Sequence, residues 1–358
     1  MTNKKAAVLN LSISLTTVIF MLLAIELGAR IVKSEPVLQI KDYRGTVQDL
    51  YREDQPVQYD ALLGWLPQVG YAGADNKWKT QVTILADGVR ANGRASDNLQ
   101  TPPILAVGDS FTFGDEVSDD ETWPAILESL SGQQVINGGV FAYGVDQSFL
   151  RMQNLLPLYQ PEIVVMSFIP DDIRRTEYSV ALGASKPYFQ IVDDKLQLMN
   201  TPVPQEVEQK QESFLHRLLG YSFLTHKVMM KVNPSWWLTG RSWSEGSTGN
   251  SGAEISCAIF QQLADVATEN GVSNVYLLVQ DLAFPAPPDL QTQVDDALQC
   301  ANSDVVTVID LRDDLQKLAG ENPVLLNSYF QDHVHMVYEG NAFVAQTILA
   351  AMHSQNEE

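Results

Sequence analysis

Five short apolar runs separated by segments of helical spacing constrain this chain more than any other feature. The runs are "ILAV" (104–107), "QQVIN" (133–137), "EIVVMSFI" (162–169), "NVYLLVQ" (274–280) and "VVTVIDL" (305–311). The third is nearly all apolar, as a strand covered on both faces must be. Between the runs lie "DETWPAILESLS", "DQSFLRMQNLLPLY", "EISCAIFQQLADVATENG" and "LQTQVDDALQCAN", and "EGNAFVAQTILAAMH" closes the chain. Each places apolar residues at helical intervals. Alternating strands and helices predict an α/β domain, with a parallel sheet between two helical layers.

The 358 residues, 45% of them hydrophobic, suffice for one large α/β domain with appendages. A net charge of −21 argues against nucleic acid as a partner, because phosphate contacts need clustered Lys and Arg. The N-terminus carries a different signal. Lys4 and Lys5 precede an uncharged run over 6–25, long enough to cross a bilayer core as a helix. It reads as a membrane signal anchor over 6–28 with a cytoplasmic tip at 1–5, which places the rest of the chain outside the cytoplasm, on the periplasmic or extracellular side. A cleaved signal peptide is the competing reading. Only Cys257 and Cys300 are present. In an exported domain they can pair, and otherwise they are two separate small hydrophobes.

Residues 34–100 read as a linker and a β-containing extension, with "YDALLGW" and a turn at Asp87-Gly88 in "VTILADGVRANG". The domain proper then runs over 101–354, interrupted by an insertion at about 174–250. Inside the insertion, "FLHRLLGYSFLTHKVMMKV" interleaves apolar residues with His216, Arg217, His226, Lys227 and Lys231. Two readings stand. One is a lid or membrane-surface helix, with Trp236 and Trp237 as interfacial or substrate-stacking residues. The other is a helical hairpin packed on the core.

Parallel α/β sheets hold their sites at the carboxyl ends of strands. Ser110 follows the first apolar run in "ILAVGDSFTFGDEV". A serine hydroxyl needs a base, usually histidine, and an acid to orient that base. Of five histidines, His216 and His226 lie in the insertion and His353 near the C-terminus. "YFQDHVHMVYEGN" remains, where Asp332 precedes His335 by three residues between the last strand and the last helix. His333 lacks that spacing. As a plain alternative, Asp109 and Ser110 cap the helix after the first strand.

These residues resemble the SGNH, or GDSL-type, hydrolase family over about 100–352. "VGDSFTFGDEVSDDETWPAIL" resembles the family's first block and "DHVHMVYEGNAFVAQTI" its last, while "YDALLGW" and "ADGVR" look like segments that precede this domain in membrane-anchored members. The resemblance implies a five-stranded flavodoxin-like sheet, with Ser110 as nucleophile, His335 as base and Asp332 as orienting acid, and no metal or cofactor. It implies action on ester-linked acyl groups, often acetyl groups of carbohydrates. "INGGVFAYGVDQ" resembles the second block and puts Ala142, with Gly139 nearby, at the backbone oxyanion donor, beside the Ser110 N–H. "FIPDDIRR" resembles the third, with Asp171 where the family has its asparagine donor. Asp109 and Asp172 are further candidates for substrate contact, and Asp172 also reads as a cap or turn residue.

The expectation is therefore an envelope-side serine esterase or acyltransferase acting on an acylated saccharide. The alternative is an SGNH-like saccharide-binding or assembly protein whose oxyanion hole Asp171 has impaired, working with envelope-assembly partner proteins.

Overall fold

The computed structural model describes residues 2–33, 35–37, 40–44, 56–74, 79–93, 100–205, 213–237, 244–245, 249–331 and 334–355. The chain divides into two units, one of Met1–Asp49 with Glu208–Trp243 and one of Leu50–Val207 with Ser244–Glu358.

The larger unit is built on β1 (Gln100–Val107), β2 (Gln133–Asn137), β3 (Ile163–Phe168), β4 (Asn274–Val279) and β5 (Val306–Asp310). All neighbours are parallel and the order is β2-β1-β3-β4-β5. This is the flavodoxin-like order, in which the sequence of strands reverses between β1 and β3 while all strands stay parallel. Helices α1 (Trp123–Ser131), α2 (Val145–Tyr159), α3 (Gly252–Glu269), α4 (Pro288–Leu298), α5 (Arg312–Glu321) and α6 (Tyr338–Gln355) cover it.

Strand alternation feeds two separate cores. Leu105, Val107, Val164, Met166, Leu277 and Val279 pack with α2, α3 and α4. The intervening Ile104, Ala106, Val165, Tyr276 and Leu278 pack with Trp123 of α1 and Val344 and Ile348 of α6. Period-two alternation with both sets apolar is what a doubly covered strand requires. Cys257 of α3 is bridged to Cys300, just past α4.

Two short hairpins precede β1, Val57–Asp60 with Gly64–Pro67 and Ala72–Ala74 with Gln81–Thr83. A third, Tyr188–Val192 with Lys195–Met199, lies in the part of the insertion that belongs to this unit. Its turn is Asp193-Asp194, both at positive φ (50° and 58°), the type I′ geometry that matches strand twist.

In the smaller unit the N-terminal helix spans Thr2–Val32, and its stretch Ser12–Val32 has mean hydropathy 2.0 and the length to cross a membrane. Glu26 and Arg30 pair one turn apart at 2.8 Å. The Glu26 carboxylate also accepts from the Ser222 hydroxyl and from the N–H groups of Phe223 and Leu224, which open the helix Phe223–Val232. Those are the orphan donors of a helix N-terminus, and an anion is the favoured partner there. Trp237 is fully buried, its indole N–H donating to His226 Nδ1 and its carbonyl 2.9 Å from His216 Nε2. It is a core residue of this unit. Trp236 stacks on His216 with ring centroids 4.5 Å apart and is half exposed.

Candidate active site

Ser110 is the third residue after β1, on the β1 side of the β1/β3 switch point. Gly108 and Asp109 shape the turn that carries it. A Cβ on Gly108 would lie 2.3 Å from Thr112 Oγ1 and 2.6 Å from the Ser167 carbonyl oxygen, so only glycine lets the chain pass this close to β3. Asp109 caps the one-turn helix Ser110–Phe113 by accepting from the Phe111 N–H at 3.0 Å. Gly114 ends that turn in the left-handed conformation, and its N–H donates to the Ser110 carbonyl at 2.8 Å.

His335 reaches Ser110 from 225 residues away. Its Nε2 lies 2.9 Å from Ser110 Oγ. The ring packs against Phe111 with centroids 5.3 Å apart. The other ring nitrogen, Nδ1, is 3.1 Å from Oε1 of Glu116. Asp332 and His333 lie outside the described residues, so the expected acid has no described position. Glu116 was not among the residues singled out from the sequence. It stands in the same glycine-punctuated turn as Ser110, with φ +73°, and no sequence pattern sets it apart from its acidic neighbours.

Burial pulls the His335 imidazole toward its neutral form. The hydrogen bond to Glu116 and the negative charges of Asp115, Glu116 and Asp109 more than offset this, so its pKa stands above the ordinary histidine value. Asp115 Oδ2 is 4.0 Å from Nε2.

The turn is held from below by Arg90, the arginine of "ADGVR". Its side chain is fully buried. Nε donates to Asp119 Oδ1 at 3.0 Å, Nη1 to the carbonyls of Phe113 and Gly114 at 2.9 and 2.5 Å, and Nη2 to Val117 at 2.7 Å and Gln81 at 3.2 Å. The rigid guanidinium fork thus fixes the main chain on both sides of Glu116. Trp65, from "YDALLGW", plays the matching part for the second loop. Its indole N–H donates to the Phe141 carbonyl at 3.1 Å, and its own carbonyl accepts from the Tyr143 hydroxyl at 2.5 Å. Ala142 lies between those residues with φ +60°. The two sequence segments upstream of the domain therefore brace its two site loops.

Gly139 donates its N–H to Asn137 Oδ1 at 3.1 Å. A Cβ there would meet Phe113 N at 2.3 Å, so its glycine is required for packing the two loops together. The Ala142 N–H, by contrast, has no acceptor among the described residues.

The third loop follows β3. Asp171 is ion-paired to Arg174 and, at 3.2 Å, to Arg175. Asp172 is buried, accepts from the Ile169 N–H at 3.0 Å and pairs with Arg175 at 2.5 Å. Arg175 also lies 3.7 Å from Asp109 and donates to the Tyr143 carbonyl at 3.0 Å. Burial pushes both the Asp109 and Asp172 carboxyls up, with Arg175 partly offsetting it. Asp109 and Asp172 are sealed from solvent, and each caps the start of a short helix. Among the described residues no cluster of His, Cys, Asp and Glu has the arrangement to hold a metal ion.

Ser110 and His335 thus stand within hydrogen-bond reach of one another beside the switch point of a 2-1-3-4-5 parallel sheet, in a protein of the α/β class. No protein-family model matches the chain, and no curated protein matches it. Solved structures similar to it include a protein assigned to the lipolytic G-D-S-L family from Desulfitobacterium hafniense DCB-2, at 15% identity, covering 69% of this chain and 98% of that one with a TM-score of 0.37. The acetyl xylan esterase AlAXEase matches at 14% identity, 70% and 98% coverage and TM-score 0.40. Axe2, an acetylxylan esterase from Geobacillus stearothermophilus, matches at 11% identity, 71% and 95% coverage and TM-score 0.38.

Proposed function

We propose that this chain is a membrane-anchored serine esterase or acyltransferase of SGNH type, acting outside the cytoplasm on ester-linked acyl groups, acetyl above all, of an envelope or extracellular saccharide. The observation that carries the reading is the 2.9 Å approach of His335 Nε2 to Ser110 Oγ at the sheet's switch point. Ser110 Oγ attacks the acyl carbonyl carbon while its proton passes to His335 Nε2. The resulting oxyanion accepts from the N–H groups of Ser110 and Ala142. His335 then protonates the departing sugar oxygen, leaving the acyl group as an ester on Ser110. Water or a second sugar hydroxyl, deprotonated by His335, takes the acyl group and restores the serine. Asp332, three residues before His335, is the acid that the family resemblance supplies. The Cys257–Cys300 bridge supports an oxidising compartment, and the apolar N-terminal helix supports an anchor.

Turnover of p-nitrophenyl acetate and of acetylated xylo-oligosaccharide by the full chain in detergent, with Ser110→Ala as control, tests the reading. Ser110-dependent release of acetate is expected, and release unaffected by Ser110→Ala contradicts it. A second reading, a saccharide-binding or assembly protein, draws on Asp171, because a carboxylate held between Arg174 and Arg175 offers no hydrogen to an oxyanion. Saccharide binding that survives Ser110→Ala in a chain without turnover would favour it.

A further inference from the structure

We propose that Glu116 is a positioning residue for the base: its carboxylate accepts the Nδ1–H of His335 and so leaves Nε2 as the nitrogen that faces Ser110. The proposal rests on the esterase reading for its catalytic meaning, but the contact itself does not. Three observations independent of one another point to it. Glu116 Oε1 is 3.1 Å from Nδ1. The second carboxylate oxygen, Oε2, is buried and has no hydrogen-bond partner among the described residues, so the side chain is not there to complete a structural network. The backbone is held at φ +73°, a region that glycine enters freely and glutamate does not. A residue kept against backbone preference, with half its carboxylate unsatisfied, marks a place where the side chain serves something other than stability.

The surroundings make the contact rigid. Arg90 fixes the carbonyls of Gly114 and Val117, two residues before and one after. A carboxylate on a turn clamped at both ends can set a ring orientation to within the tolerance that proton transfer needs. Among the described residues the charged groups facing the imidazole are Glu116 at Nδ1, Asp115 at 4.0 Å from Nε2, and Asp109, itself offset by Arg175 at 3.7 Å. Among the described residues, Glu116 is the carboxylate that approaches the ring nitrogen that must carry the hydrogen. The sequence-adjacent Asp332 competes for the same role, and the two can be separated by experiment.

The test uses the full chain in detergent, with Glu116→Gln, Glu116→Gly and Asp332→Asn compared for three readouts. These are the His335 titration followed by NMR, the pH profile of p-nitrophenyl acetate kcat/KM, and the thermal midpoint. Glu116→Gln is expected to lower the His335 pKa, to move the acid limb to lower pH, and to lower kcat/KM on the order of 10⁴-fold, the scale of losing an orienting acid. Glu116→Gly is expected to lose activity alike while holding or raising the thermal midpoint, which a merely structural residue would not do. A His335 titration and acid limb unmoved by Glu116→Gln, with Asp332→Asn producing both shifts, overturn the proposal. A titration that moves in a chain lacking Ser110-dependent turnover keeps the contact and removes the esterase reading.

Discussion

Arg90 and Asp119 form a buried ion pair, Nε to Oδ1 at 3.0 Å, whose remaining guanidinium hydrogens all go to main-chain carbonyls of the nucleophile turn and its neighbour strand. Burial lowers the Arg90 pKa, with Asp119 offsetting part of that cost. The energy of such a pair lies in what is left when one partner goes. Arg90→Ala would strand a buried carboxylate and several carbonyls, so we predict a loss of about 3–5 kcal/mol in unfolding free energy. Arg90→Lys keeps the charge but not the fork, and should recover less than half of that loss while still depressing turnover. Chemical denaturation of the three proteins checks both values.

The pH profile follows from the environment of His335. The base works only when neutral, and the hydrogen bond to Glu116 with the charges of Asp115, Glu116 and Asp109 outweighs burial to favour its protonated form. Esterase kcat/KM should therefore rise with pH through an apparent pKa above the ordinary histidine value of about 6.5. A profile whose acid limb lies well below that value would contradict the description of the site.

Asp171 tests the oxyanion pocket. Its carboxylate is tied to Arg174 and Arg175, so its charge is compensated, but it has no hydrogen to give. Asparagine would supply one. A missing donor of this kind costs on the order of 10²–10³ in rate, so Asp171→Asn should raise kcat by tenfold or more with KM little changed. Unchanged kcat in steady-state assays would remove this side chain from the oxyanion.

The Cys257–Cys300 bridge closes a span of 43 residues linking α3 to the end of α4. In the chain-entropy account a loop of this size restricts the unfolded ensemble by about 4 kcal/mol. Double replacement by alanine should lower stability by an amount of that order, read by denaturant unfolding, with the Ser110–His335 site chemically intact at low temperature.

Much of this architecture was legible in the sequence. The five apolar runs fall on β1–β5 because the three inner strands are buried on both faces, the two edge strands still bury part of theirs, and glycine, proline or polar residues bound each run. Ser110 and His335 stood out because a serine after the first strand and a histidine before the last helix are brought to one end of a parallel sheet by topology alone. Glu116 was not legible, since nothing in "GDEVSD" separates a carboxylate at Nδ1 from its solvated neighbours until the turn is folded. The same holds for Arg90 and Trp65, whose roles depend on carbonyl positions that no residue pattern reports. The hairpin at 188–199 did carry a signal, two aspartates between alternating apolar residues, within a segment that reads as an interruption.

The most direct test of the Ser110–His335 pair is covalent labelling of the full chain with a fluorophosphonate, with the adduct located by peptide mass spectrometry. The structure predicts one adduct, on Ser110, absent in Ser110→Ala and formed at least about 10³-fold more slowly in His335→Ala. An unlabelled Ser110 in folded protein, or labelling as fast without His335 as with it, would contradict a nucleophile activated by this histidine.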